Sequence, residues 1–258
     1  MCRPDHFEVS YSINPWMDLG VPVDRERAIA QWEEIRRVYL ELGHQVETVE
    51  PAAGLPDMVF AANGGIVHGG RAMAAHFTHD ERKAEGELYR RWFEQAGMTP
   101  AVTATNLNEG EGDFLYVGGR FLAGTGFRTS LAAHAEVAEF FGVPVTSLTL
   151  VDPRLYHLDT ALTVLNDETI AYYPAAFDPA SQEILRTLFP DAVIATEADA
   201  AVLGLNAVSD GYHVVLSAAA TDLIAALRER GFHPIGVDTS ELNKAGGSAK
   251  CCTLEIGR

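Results

Sequence analysis

Apolar positions along this chain switch repeatedly between two periods. Five stretches carry them three or four residues apart, the spacing of a helix face. Residues 24–42 put Ile29, Trp32, Ile35, Val38, Tyr39 and Leu42 on one stripe that stops at Gly43, and residues 79–96 do the same with Leu88, Trp92 and Phe93 before Gly97. A third helix is predicted from about Thr129 to Gly142, with Leu131, Val137, Phe140 and Phe141 inward. A fourth opens at Asp178-Pro179, an N-cap followed by proline, and ends before Pro190; a fifth runs from Thr221 to Gly231 around Leu223, Ile224 and Leu227. Between the helices the period falls to two and turn residues appear. Met58-Val59-Phe60 and Ala72-Met73-Ala74 flank Gly69-Gly70, residues 114–117 and 121–123 flank Gly118-Gly119, residues 161–164 and 170–172 flank Asn166-Asp167, and residues 207–208 and 213–216 flank Asp210-Gly211. Each hairpin precedes a helix and each helix precedes a short strand (45–49, 99–103, 143–148, 192–195, 233–237). The unit strand, strand, helix, strand therefore recurs at roughly 50-residue intervals. The first helix has no hairpin of its own; residues 7–13 and, from the other end, 250–256 read as the strands that complete its unit. Chain ends meeting in one unit close an α/β ring of five ββαβ pseudo-repeats. A doubly wound parallel sheet has no need of a hairpin in every unit. No linker or low-complexity tract interrupts the pattern, which predicts one domain over residues 1–258.

Composition narrows what such a ring does. The 258 residues, 47% hydrophobic and 21% charged, are an ordinary globular balance and enough for a sizeable core. Asp and Glu number 36 against 19 Lys and Arg, a net charge of -17. That sign repels a phosphate backbone and suits a cationic ligand where carboxylates converge. No apolar run approaches the roughly 20 residues of a membrane span. The N-terminus lacks the apolar stretch of a secretory signal. Three cysteines supply neither a disulfide framework nor zinc spacing. The expectation is a cytoplasmic protein with a small-molecule partner and no nucleic acid or membrane; assembly into a homo-oligomer is left open.

His157-Leu158-Asp159-Thr160 is the most informative segment. Read as a strand start, it puts an imidazole and a carboxylate on one side, for acid–base work or for holding a cation. His44, His79, His134 and His233 fall at helix ends or exposed faces and read as solvated, His213 as core or rim. Cys251 and Cys252 follow Gly246-Gly247-Ser248-Ala249-Lys250. In a strand they point to opposite faces, one to the core and one to a pocket; the alternative is two small buried apolar residues. Cys2 reads as an incidental thiol in a mobile terminus. Glu109-Gly110-Glu111-Gly112-Asp113 crowds three acids that repel one another unless a cation or donors offset them, and otherwise is a solvated turn. Asn63 ends a strand beside paired glycines. Arg128, ahead of a helix, either grips a carboxylate or is a surface charge. Asn63, residues 109–113 and His157 share one property: each lies at the mouth of a hairpin in successive repeats. Equivalent positions of a fivefold ring converge on its axis, where the closing unit adds Cys251.

These residues resemble the guanidino-group-modifying (pentein) superfamily, whose fold is the five-bladed α/β propeller. It includes dimethylarginine dimethylaminohydrolases, arginine deiminases, arginine dihydrolases and amidinotransferases. The most specific piece is His-Leu-Asp-Thr together with a C-terminal Gly-Gly-x-x-x-Cys. The resemblance implies that Cys251, the first of two adjacent cysteines, is the nucleophile and His157 the acid and base. Asp159 and Asp113 are implied to clamp a guanidinium, and Arg128, in Gly-Thr-Gly-Phe-Arg-Thr-Ser, to bind the substrate carboxylate; Arg82 is a looser match to a second substrate contact. Two departures matter. The superfamily's Glu-Gly-Gly-Asp carries an extra residue here, so Glu109, which we favour, competes with Glu111. Asn63 stands where deiminases have aspartate, as in the arginine dihydrolases, though a neutral amide also suits a methylated guanidinium.

The implied activity is cysteine hydrolysis of a guanidino C–N bond through a covalent thiouronium, with dimethylarginine to citrulline plus dimethylamine favoured. Arginine dihydrolase or deiminase is the alternative, then amidinotransferase, whose longer insertions have little room here. No metal or organic cofactor is required. A protein-binding propeller without catalysis is the competing class, and it would need none of Cys251, His157 and Asp159.

Overall fold

Two of the hairpin turns are glycine pairs, and both pairs have positive φ: 58° and 75° at Gly69 and Gly70, 55° and 79° at Gly118 and Gly119. That left-handed pair of residues matches the twist of the strands it joins and is nearly closed to side chains with a Cβ. The computed structural model describes residues 1–256. Among them, four three-stranded sheets repeat one plan, an antiparallel hairpin followed by a helix and a third, parallel strand. The first sheet is β1 (Gly65–His68), β2 (Arg71–Ala74) and β3 (Ala101–Thr103), with α2 (Lys83–Gln95) between the last two. The second is β4 (Phe114–Val117), β5 (Arg120–Thr125) and β6 (Val145–Thr149), with α3 (Leu131–Phe141). The third is β7 (Leu162–Val164), β8 (Ile170–Tyr172) and β9 (Val193–Ile194), with α5 (Pro179–Leu188). The fourth is β10 (Val208–Ser209), β11 (His213–Ser217) and β12 (His233–Val237), with α7 (Thr221–Glu229). Helix α1 (Arg25–Glu41) precedes them all.

The helix starts follow the capping residues. Asp24, Ser130 and Asp178 each accept a backbone N–H of the first turn, offsetting one of the donors a helix leaves unpaired. The inward stripes bury Trp32, Ile35 and Val38 on α1, Tyr89 and Phe93 on α2, Val137 on α3, Leu185 on α5, and Leu223 and Leu227 on α7. No helix of the described residues is long and apolar enough to cross a membrane.

Several expectations give way. Met58-Val59-Phe60 is no strand: Pro56 opens a 3₁₀ turn at Pro56–Val59, a second follows at Ala61–Gly64, and β2 pairs instead with β1. Asn63 thus lies in a turn. His157 and Asp159 do not start a strand either; His157 caps the single-turn helix α4 (Leu158–Ala161). Another short helix, α6 (Glu197–Ala200), opens with a capping box between Thr196 and Asp199. Residues 250–256 pair with no strand. There the backbone of Lys250 and Cys251 is claimed by Asn206, and Cys252 and Thr253 N–H groups turn back to Ser248 and Lys250. Of residues 45–49 only Val49 is laddered, in a parallel bridge to Cys2, so Cys2 is buried rather than mobile. Leu131 faces solvent at the start of α3. His134 is buried, held by Ser147 and the Gly124 carbonyl.

Candidate active site

The segments that lead into β1, β4, β7 and β10 and the last turn of the chain meet, and hydrogen bonds join them head to tail. The Ala62 N–H donates to the Cys251 carbonyl at 3.0 Å. Asn63 Nδ2 donates to the Glu109 carbonyl at 3.3 Å. Glu109 Oε2 lies 2.9 Å from His157 Nε2. Asn206 Nδ2 donates to the Asp159 carbonyl at 3.1 Å, and its Oδ1 accepts the Cys251 N–H at 2.9 Å, which completes the cycle. Small residues make this approach feasible: a Cβ on Gly112 would collide with the Asn63 amide, and one on Gly247 with the Phe60 ring.

Cys251 is 2% exposed, and its thiol donates to Asp159 Oδ2 at 3.4 Å. Burial, then the Asp159 carboxylate, pushes the thiol well above its ordinary value. Asp159 is also pushed up, to about 7, because burial outweighs the nearby Lys250 charge and the contacts with Cys251 and Asn206. Its Oδ1 accepts no hydrogen bond among the described residues. Cys252 is fully buried in apolar surroundings that include Tyr39 and Val59.

His157 meets Glu109 through Nε2, while its ring packs against Tyr156 with centroids 4.7 Å apart. Arg128 holds Glu109 from the other side, Nη1 reaching both carboxylate oxygens at 3.0–3.1 Å, and its guanidinium lies over the Tyr156 ring. Burial alone would raise Glu109, but Arg128 and the His157 contact overcome it and keep the carboxyl well below the usual range. Arg128 Nη2 also donates to the Ile13 carbonyl. Asp113 spends both oxygens on protein donors, Leu158 N–H and Thr129 Oγ1, and so anchors the turn that carries His157 and Asp159. Arg82, buried, pairs in a two-pronged way with Glu85 and donates to Asn63 Oδ1 at 2.9 Å. The two candidate acids part company: Glu109 goes to His157, whereas Glu111 goes to Lys250 Nζ at 2.6 Å in a buried cluster with Glu255. A cavity of about 500 Å³ between Tyr39, Trp92, Val208 and Ile256 is lined by Glu255 but by none of Asn63, Glu109, Arg128, His157, Asp159 and Cys251.

Three neighbours escape sequence reasoning. Asn206 sits two residues ahead of β10, as Asn63 sits two ahead of β1, and that equivalence was the available signal. Asp57, buried, accepts from Tyr11 while its Oδ1 has no partner among the described residues. Lys250 carries no motif; only its place beside Cys251 marks it.

A buried thiol beside a carboxylate, with an imidazole held by a second carboxylate, is the equipment of a cysteine enzyme that works by nucleophilic and acid–base catalysis. The chain belongs to the N,N-dimethylarginine dimethylhydrolase family, whose eukaryotic family model it matches over residues 10–258. It is 57% identical over 256 residues to the N(G),N(G)-dimethylarginine dimethylaminohydrolase of Mycobacterium tuberculosis, covering 99% of this chain and 84% of that protein. It is 39% identical over 262 residues to the bifunctional arginine dihydrolase/ornithine cyclodeaminase ArgZ of Synechocystis, covering 99% of this chain but only 37% of that longer protein. The N-terminal domain of ArgZ, an arginine dihydrolase from Cyanobacteria whose crystal structure holds substrate, superposes with a TM-score of 0.94 at 37% identity, over 98% of this chain and 96% of that one.

Proposed function

We propose that the protein hydrolyses dimethylarginine to citrulline and dimethylamine in the cytoplasm, using the whole chain as one catalytic domain. The carrying observation is the buried pair Cys251–Asp159, in which a thiol lies against a carboxylate whose other oxygen has no partner among the described residues. Such a carboxylate calls for a cationic donor, and a planar guanidinium offers one with its electrophilic carbon close to sulfur. The reading as a five-bladed propeller is supported by the four repeated sheets and by the hydrogen-bonded cycle, with α1 and the Cys2–Val49 bridge belonging to the remaining unit.

In this mechanism the Cys251 thiol releases its proton to solvent as the cationic guanidinium docks, and the thiolate attacks the guanidinium carbon to form a C–S bond. The C–N bond to the dimethylamino group breaks, its electron pair leaving with nitrogen, which takes a proton from His157. Water then adds to the thiouronium carbon, giving one proton to His157; the C–S bond breaks with its pair returning to sulfur, and the remaining hydroxyl proton passes to solvent as the citrulline carbonyl forms. Glu109 holds the imidazole, and Asp113 and Arg128 fix the groups around it. Asp159 receives the guanidinium; Arg128 and Arg82 are the cations for the amino acid's carboxylate, and Asn63 sits between Arg82 and Glu109.

Product analysis tests the assignment. Dimethylarginine should yield citrulline and dimethylamine, and absence of dimethylamine overturns it. The second reading, an arginine dihydrolase, is favoured by Asn63 and predicts ornithine and two ammonia from arginine. Asn63→Asp separates the two. The substitution removes the donor to the Glu109 carbonyl and sets a carboxylate near the guanidinium site. A dimethylargininase should then show a KM for dimethylarginine raised about tenfold, since methyl groups cannot pair the new charge. A dihydrolase should stop at citrulline.

Binding should also depend on pH. Asp159 titrates at about 7, and only its ionised form attracts a cation. In Cys251→Ser, which binds without turnover, the Kd for arginine should tighten up to about tenfold per unit from pH 5 to 7 and level above. Asp113 and Glu111 are pushed up to about 6 and about 7 as well, so the control is Asp159→Asn, in which calorimetry should show a flat profile.

A further inference from the structure

We propose that Asn206 is the hydrogen-bond donor that orients the Cys251 sulfur and stabilises its thiolate during attack. The inference rests on the reading of Cys251 as the nucleophile. Asn206 is fully buried, and all four of its amide contacts are specified. Oδ1 accepts the N–H groups of Ser248 and Cys251, each at 2.9 Å, so the backbone dictates which end of the amide is oxygen. Nδ2 is thereby aimed at the Asp159 carbonyl and at Cys251 Sγ, both at 3.1 Å. The same residue's carbonyl accepts the Lys250 N–H at 3.2 Å, so Asn206 binds the nucleophile's turn at three places and its sulfur at a fourth.

The chain strains to present this side chain. Leu203, fully buried, has φ of 53°, the one non-glycine residue with positive φ among the described residues. Its carbonyl accepts the Asn206 N–H, and at Gly204, between them, a Cβ would meet the Ala220 Cβ at 2.5 Å. Strain of that kind persists where the surroundings hold it against relaxation, often at sites of function.

The other groups around the sulfur explain why a neutral donor is placed there. The charges that bear on the sulfur are those of Asp159 and, when ionised, of Cys252, and Tyr156 lies in the same field; Lys250 acts on Asp159 and is engaged with Glu111 and Glu255. While protonated, the thiol donates to Asp159 and accepts from Asn206. Once the proton has left, the Asp159 carboxylate repels the sulfur and the Asn206 N–H remains as its direct donor. Asn206 itself transfers no proton.

Asn206→Asp keeps an oxygen for the Ser248 and Cys251 N–H groups but replaces the donor with a charged oxygen, so it is paired with the neutral isostere Asn206→Leu, in which the donor is lost with no charge added. Iodoacetamide alkylation of Cys251, followed by peptide mass spectrometry, should shift its midpoint upward by about 1 pH unit or more. kcat should fall about tenfold to a hundredfold with KM little changed. A purely structural role would lower the Tm of Asn206→Leu and leave its alkylation profile where it was, which overturns the proposal. A second measurement needs no variant at position 206. In the natural sequence, the Asn206 side-chain amide protons should move with the titration of Cys251 by NMR and lose that response in Cys251→Ala; resonances that stay still overturn the proposal equally. If complete alkylation of Cys251 leaves turnover intact, the nucleophile assignment has failed instead, a result distinct from either.

Discussion

Cys251→Ser should remove turnover, by on the order of 10³-fold or more, whereas Cys252→Ser should keep most of it. The argument does not rest on strand alternation, since the two cysteines lie in a turn. It rests on what each sulfur touches. Cys251 donates a hydrogen bond to Asp159 and accepts one from the Asn206 amide, which supports its charge. Both sulfurs lie in one apolar cluster and burial raises both thiols, but Cys252, at 0% exposure, has no polar side chain bonded to its sulfur among the described residues. A serine hydroxyl at 251 would accept and donate the same hydrogen bonds but would ionise far less readily than a thiol, so the loss is chemical. Arginine should still bind. Mass spectrometry after chloroacetamidine treatment should place the adduct on Cys251; an adduct on Cys252 with Cys251 unmodified would reverse the assignment.

The helices and hairpins were legible because their signals are local. Glycine pairs at positive φ and capping side chains act within a few residues, and α2, α3, α5 and α7 with the hairpins before three of them follow from such signals. The helix α4 was not legible: four residues complete a single turn and show no period, so His-Leu-Asp read as an extended segment. The tail at residues 250–256 failed for another reason. Its backbone partners come from Asn206, 44 and 45 residues earlier for Lys250 and Cys251, and nothing in the tail's own pattern announces them. Candidate residues at the mouths of successive hairpins were found as a set because a repeat gives equivalent positions. Asn206 obeys the same rule and was passed over, since an amide carries no charge and belongs to no familiar pair. The acidic segment at residues 109–113 divides in a way spacing alone could not fix, with Glu109 turned toward Arg128 and Glu111 toward Lys250.

His157→Asn should slow both formation and decay of the covalent species, each by about 10²- to 10⁴-fold, because one imidazole serves both proton transfers. The choice of asparagine matters. Glu109 is fully buried and ionised between Arg128 and His157, and leaving such a carboxylate without its second partner costs several kcal/mol. An amide at 157 can still donate toward Glu109, while the main-chain contacts of the turn are untouched. Thr160 Oγ1 continues to donate to the residue 157 carbonyl, and the Leu158 N–H to Asp113. Cys251 and Asp159 keep their partners, so binding of the guanidinium should persist. The variant therefore folds and loads substrate while lacking a group that can carry a proton. Rapid-quench trapping should show a slow rise of the adduct and an equally slow decline, and a Tm close to that of the natural sequence. An adduct that forms at the normal rate and only decays slowly would confine His157 to the hydrolytic half. The proton for the departing amine would then come from elsewhere, and Asp159, titrating at about 7 beside the sulfur, is the group in position to carry it.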